Sequence, residues 1–300
     1  MNWDDCLNKY AIHLEFELGL SKNSIDSYLF DIKKLKDFIE KNYNQKSPEN
    51  IKHNELKKFV FIISKEVKAS SQSRIISGLK SFFNFLQFET NLENNPTKLL
   101  ETPKIRKQFP DTLSTDEIDN LINSISSKDT FYYRNSCAVE LMYSCGLRVS
   151  ELISLKFSDL FFDEALIRVR GKGDKMRWVP IAESTAKILK NYINIRKNNK
   201  KEKKGHEDKI FLNNRGSSIS RFMIFAIIKN AAKKADIKKK ISPHTLRHSF
   251  ATHLVENGAE IQVVQHMMGH SSVLTTERYV HMSQKHLMNS ISKFHPRSKG

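Results

Sequence analysis

Six polar side chains at junctions of this 300-residue chain have chemistry that bears on a phosphate ester. They are Arg148 in GLRVSEL, Lys172 in GKGDK, His244 and Arg247 in HTLRHSF, His270 in MGHSS and Tyr279 in TTERYVH. A guanidinium fork meets two phosphate oxygens at once, an imidazole moves protons near neutral pH, and a phenol can carry a covalent ester. Taken singly, each has an ordinary alternative. Either arginine can be a structural ion-pair partner, His270 directly after Gly269 can cap a helix, and Tyr279 can pack on an amphipathic helix. Their joint occurrence, in this order, points to one site, and eight of the eleven histidines fall between His244 and His295.

Other chemistries fit less well. His244 and His248 share a helix face at i, i+4 as metal ligands would, but Thr245 stands where HExxH has its glutamate, and Arg247 beside the pair repels a cation. The GKG at residues 171–173 lacks the spacing and the Ser or Thr of a P-loop, and GxGxxG is not completed. No GxSxG elbow is present, so serine acyl transfer has no support.

Fifty Lys and Arg against 33 Asp and Glu leave a net charge of +17, which calls for a polyanionic partner: nucleic acid first, an anionic membrane surface second. Residues 1–106 hold 17 basic and 14 acidic side chains and the remainder 33 and 19, so the second part contributes +14. Part of that excess, the run RKNNKKEKK at 196–204, reads as a solvated loop. With 39% hydrophobic residues, 10 Gly and 7 Pro, the chain is neither disordered nor collagen-like. Cys6, Cys137 and Cys145 match no zinc or redox spacing, and their odd number argues for a reducing compartment. The N-terminus MNWDDCLNKY is no export signal, and no apolar run nears the ~20 residues that span a bilayer, which together read as cytoplasmic.

These groups need elements to hold them. Apolar stripes at helical spacing run through Leu7 to Leu18, Ile25 to Ile39, Leu56 to Val67 and Ile75 to Leu86, predicting four amphipathic helices in a bundle, with the aromatic residues of the last as core. Residues 94–110, NNPTKLLETPKIRKQFP, have the prolines and irregularity of a linker. A helix then opens with a capping box, Ser114 to Glu117, and a staple of Leu113 and Ile118. The next ends at Gly146, suited to the left-handed position, so Arg148 sits at a helix junction. Residues 165–180 alternate around a Gly-containing turn, a β-hairpin with Lys172 at its tip. The whole reads as two α-rich domains, the second with a small sheet.

With these residues in view, the chain resembles the tyrosine recombinase (phage integrase) family, and within it the Xer branch. The most specific segment is residues 242–281, SPHTLRHSFATHLVENGAEIQVVQHMMGHSSVLTTERYVH, with its HxLRH, GH and RYxH elements, and the likeness runs over nearly the whole chain. MMGH stands in place of the more usual LLGH, and Glu277-Arg278 precede the tyrosine where uncharged residues are common. The resemblance implies a helical core-binding domain at 1–93, a linker at 94–110 and a catalytic domain at 111–300, mainly α with a small antiparallel sheet.

It also implies that Arg148, Lys172, His244, Arg247 and His270 surround a scissile DNA phosphate, with Tyr279 as nucleophile and Arg148, Arg247 and His270 binding the phosphate. The expected activity is site-specific cutting and rejoining through a 3′-phosphotyrosyl intermediate, resolving chromosome dimers at a dif-like site. An integrase or transposase of a mobile element, or a DNA-binding protein that does not cleave, are the alternatives. Expected partners are double-stranded DNA, a homo- or hetero-tetramer with a second Xer-type recombinase, and an FtsK-type translocase, with no membrane. Five cationic or proton-transferring groups make a cofactor or metal ion unnecessary, so none is expected.

Overall fold

The computed structural model describes residues 2–44, 46–90, 92–104, 111–171, 175–198, 202–269 and 284–298. The chain divides into two compact units, Met1–Gln108 and Phe109–Gly300.

The first unit is helical. Helix α1 (Trp3–Ile12) starts where the Asn2 side chain accepts the Asp5 N–H at 2.8 Å, with Asp4 and Asp5 favourably placed at the positive end of the helix dipole. It runs into a π-turn, His13–Glu17, followed by α2 (Lys22–Tyr43), α3 (His53–Glu66) and α4 (Ala69–Thr90). The apolar stripes meet in one core of Tyr10, Leu14, Ile32, Leu35, Leu56, Ile75, Phe82 and Phe83. Trp3 stacks on Phe82 with ring centroids 6.2 Å apart, and Tyr10 meets the same ring edge-on at 5.2 Å. The aromatic stripe of α4 is therefore core, each such side chain worth roughly 1.5–3 kcal/mol when fully buried. Residues 94–100, irregular in sequence, also pack on this unit: buried Asn95 receives the Thr97 N–H at 2.9 Å and hydroxyl at 2.7 Å, and Leu100 joins the core.

The second unit begins at α5 (Thr115–Asn123), where Ser114 N–H donates to Glu117 Oε2 at 2.8 Å and Glu117 N–H to Ser114 Oγ at 3.1 Å, the reciprocal cap that the spacing predicts. Leu113 and Ile118 are both buried. Helix α6 (Tyr132–Ser144) is buried on every side over its last eight residues and packs against α8 (Glu183–Asn198) and α10 (Pro243–Glu256), which makes it the central rod. A tight corner leads into α7 (Val149–Ser154). The sheet is antiparallel in the order β1 (Leu160–Phe161), β2 (Leu166–Arg170), β3 (Met176–Pro180), with Ile167 opposite Val179 and Val169 opposite Arg177. The hairpin thus carries a third short strand. Helices α9 (Arg221–Lys234), α11 (Ile261–Met268) and α12 (Gln284–Phe294) are its other helices among the described residues.

The C-terminal segment packs on its own unit. In this structure Leu287 and Ile291 join the core of the second unit, and Arg297 donates to Glu140 at 3.0 Å and to Asp119 at 2.5 Å. No helix among the described residues is long and apolar enough to cross a membrane.

The α6–α7 corner depends on Gly146, whose φ is +56°. A Cβ there would lie 2.5 Å from Cδ1 of the fully buried Phe250. Gly146→Ala combines left-handed strain with overpacking and should cost on the order of 2–4 kcal/mol. Urea unfolding of the full chain checks this, and a midpoint equal to wild type would refute the claim that this turn is sterically required.

Candidate active site

The corner that Gly146 makes puts Arg148 at the N-cap of α7. Its backbone N–H donates to Oε2 of Glu151 at 2.7 Å, and its Nη1 donates to Oε1 at 2.8 Å. A glutamate three residues into a helix is well placed for this, because the first turn leaves backbone donors without intrahelical partners. Glu151 is 3% exposed, so its carboxylate can be ionised only with strong partners around it.

Those partners arrive from distant parts of the chain. From β3, Arg177 donates Nη1 to Oε1 at 2.7 Å and Nη2 to Oε2 at 2.9 Å, a two-pronged ion pair. From α10, Arg247 brings Nη1 to 3.5 Å of Oε2 and donates the same nitrogen to the Gly146 carbonyl at 2.5 Å. The three guanidiniums also divide the C-terminal carbonyls of α11 among themselves. Arg177 Nε takes Met267 O at 2.7 Å, Arg247 Nη2 takes Met268 O, and Arg148 Nη2 takes Gly269 O at 3.1 Å. A helix end leaves such carbonyls unpaired and partly negative, so cations there are favoured.

Charge follows geometry. Burial alone would raise the Glu151 carboxyl, but hydrogen bonds from Arg177 and Arg148 outweigh it and hold the group down at about 2. Burial, then the nearby Arg148, pulls Arg247 down to about 9, which leaves it charged at neutral pH. Three guanidiniums against one carboxylate give the cluster a net +2. Arg148 keeps about a third of its side chain exposed and Arg247 only 6%, so Arg148 is the more accessible to a ligand.

His244 is the second residue of α10, after Pro243 at the first helical position and Ser242 at the N-cap. It is exposed and stands one helical turn before Arg247, on the same face. The structure thus brings Arg148 and Arg247 together and sets His244 a turn away. Lys172, His270 and Tyr279 lie outside the described residues. The described residues just before the first two lie beside the cluster: a Cβ on Gly171 would sit 3.6 Å from Nη1 of Arg177, and Gly269 O accepts from Arg148. Other histidines between 244 and 295 serve packing, such as His253, bonded to the Tyr143 hydroxyl at 2.9 Å, and fully buried His295. Among the described residues no three of His, Cys, Asp and Glu are grouped to hold a metal ion.

Glu151 and Arg177 escape the sequence reading. A signal for Arg177 exists: it occupies the strand face shared with Val179 and opposite Val169, so a charge sits where alternation demands an apolar residue. Glu151 looks like an ordinary helix-start acid and carries no comparable mark.

Residues 111–286 match the model of the phage integrase family, and residues 7–90 match that of the phage integrase N-terminal SAM-like domain. The chain is 34% identical to the tyrosine recombinase XerD of Listeria innocua, covering 98% of this chain and 100% of that one. Solved structures that share its fold include two bound to DNA. XerH site-specific recombinase bound to a palindromic difH substrate matches with a TM-score of 0.72 at 22% identity, over 95% of this chain and 83% of that one. A lambda integrase tetramer bound to a Holliday junction matches with a TM-score of 0.72 at 20% identity, over 91% and 78%.

A carboxyl held at about 2 when folded, against ~4.3 unfolded, stabilises the protein fully above the unfolded value and loses that contribution as pH falls toward 2, roughly 3 kcal/mol in all. Glu151→Gln should therefore destabilise the protein at pH 7 and flatten the dependence of stability on pH between about 4.5 and 2. Urea unfolding at a series of pH values reads both effects. An unchanged slope would show that Glu151 is not the depressed group.

Proposed function

The chain belongs to the phage integrase family of tyrosine recombinases, enzymes that break and rejoin DNA, and from that premise we propose that it resolves chromosome dimers at a dif-like site through a 3′-phosphotyrosyl intermediate. It is a tyrosine-type site-specific recombinase of the XerD kind. The dif-like target is proposed from the likeness to XerD, and the cleavage chemistry is supported by one observation above all. Arg148 and Arg247, far apart in sequence, are tied to one buried carboxylate and to adjacent carbonyls of the turn that leads into His270.

The chemistry follows from charge. A phosphodiester carries one negative charge, and the pentavalent species formed when the Tyr279 oxygen attacks phosphorus carries two. A cluster of net +2 with forked donors is better matched to the second than to the first, and such differential stabilisation lowers a barrier. In the step, the Tyr279 oxygen–phosphorus bond forms and the bond from phosphorus to the 5′ oxygen breaks. The phenol proton passes to His244 and the 5′ oxygen takes a proton from Lys172. The ester stored on tyrosine is close in energy to the bond it replaced, so rejoining needs no external energy source. His270 adds a hydrogen bond to the phosphate.

The +14 of the second part supplies the attraction for duplex backbone, and the protein acts on DNA in the cytoplasm. The helical domain at 1–93 and the catalytic domain at 111–300, joined by 94–110, both bind it. A lambda integrase tetramer on a Holliday junction shares the fold, which supports a tetramer here. The tetramer is built from this chain alone or together with a second Xer-type recombinase, with an FtsK-type translocase as the proposed activating partner.

On a nicked suicide duplex carrying a dif-like site, wild type should form a covalent adduct in EDTA, and Tyr279→Phe should form none while binding the same DNA. Arg247→Ala should slow adduct formation by ~10² to 10³. A gel that resolves the protein–DNA adduct reads all three. No wild-type adduct on bound DNA, or an adduct from the phenylalanine variant, would end this reading.

A further inference from the structure

Arg177 is buried at 9% exposure, and each of its three nitrogens already donates within the protein. It has little to offer a substrate. Its bidentate pair nevertheless controls what Glu151 can do. Both carboxylate oxygens accept from Arg177, and the Arg148 side chain makes one hydrogen bond to Glu151. Without Arg177 the buried carboxylate would have to draw its compensation from Arg148 and Arg247, because a buried charge cannot stay underpaired. The two arginines would then be turned inward, away from a phosphate.

The third bond of Arg177, to Met267 O, holds the last turn of α11, the element that ends at Gly269. Gly269 has φ +62°, and a Cβ on it would lie 3.2 Å from Cδ and Nη1 of Arg177. The glycine before His270 is thus shaped around this arginine. We infer that Arg177 is a positioning residue of strand cleavage: by occupying Glu151 and seating the end of α11, it leaves for the scissile phosphate those N–H groups of Arg148 and Arg247 that their own bonds to Glu151, Gly146, Met268 and Gly269 do not use. The inference rests on the proposed role of those two arginines as the phosphate clamp.

Arg177→Lys keeps the charge but cannot span both carboxylate oxygens and a carbonyl in one plane. Single-turnover adduct formation would be measured on two nicked duplexes, one with an ordinary scissile phosphodiester and one with a methylphosphonate, which lacks one charged non-bridging oxygen. Binding to intact duplex is measured alongside. The expected result is unchanged DNA affinity, a loss of about 10²-fold on the phosphodiester and a loss of only a few-fold on the methylphosphonate, since less charge remains to be stabilised. The ratio of the two rates is independent of the folded fraction, so partial unfolding of the variant leaves it readable, and Arg177→Gln provides the same ratio without the charge.

Equal losses on both substrates, or wild-type rates on both, would overturn the inference. Arg148→Ala is the control for the premise. If it forms adduct at the wild-type rate, the clamp itself is refuted; if it fails while Arg177→Lys keeps the wild-type ratio, only the role of Arg177 falls.

Discussion

One carboxylate, Glu151, buried among three guanidiniums, is the interaction on which the second unit's site depends. Alone in that position it would cost several kcal/mol of desolvation, and any one of the arginines alone would do the same. Together they satisfy one another and the three terminal carbonyls of α11. A buried ion cluster of this kind seldom adds net stability over well-packed apolar side chains. On the proposed function its value lies in rigidity: donors held in place before a phosphate arrives need no reorganisation when charge develops.

The fold exists to bring these pieces together. Helix α6 ends in the Gly146 corner, which presents both the Arg148 backbone and the carbonyl that Arg247 binds. Phe250 of α10 presses against that corner, three residues beyond Arg247, so the packing that places the ring also places the guanidinium. The strand β3 delivers Arg177 from the opposite side. Beyond Gly269 the chain carries His270 and Tyr279, and the described residues on both flanks are anchored: Gly269 by Arg148, and α12 by Leu287 and Ile291 in the core. Arg297 strengthens the far anchor through Glu140 and Asp119, while burial and then Arg297 itself push His295 down to about 3, which keeps that core histidine neutral.

The first unit follows a simpler logic, an aromatic and aliphatic core shared by four helices. It contains one costly feature, Asp31, which is 1% exposed and salt-bridged to Arg74 across α2 and α4. Burial raises the Asp31 carboxyl, with Arg74 opposing.

Much was legible without coordinates where the signal is local. The capping box at Ser114, the left-handed glycine at 146, the helical stripes of the first unit and the hairpin at 166–180 are all decided within a few residues, by backbone donors, φ preferences and periodicity, and so they can be read along the chain. Arg148, His244 and Arg247 were legible as residue types at telling spacings. The partners of those arginines were not. Glu151 resembles any first-turn glutamate, and Arg177 any hairpin arginine, until tertiary packing removes water from both and forces the two charges to meet. Sequence alone determined which groups have the chemistry that the proposed cleavage of a phosphate ester needs. Only the folded structure decided which side chains hold them, because burial, which turns a weak surface attraction into an obligatory pairing, is a property of the whole unit and of no segment by itself.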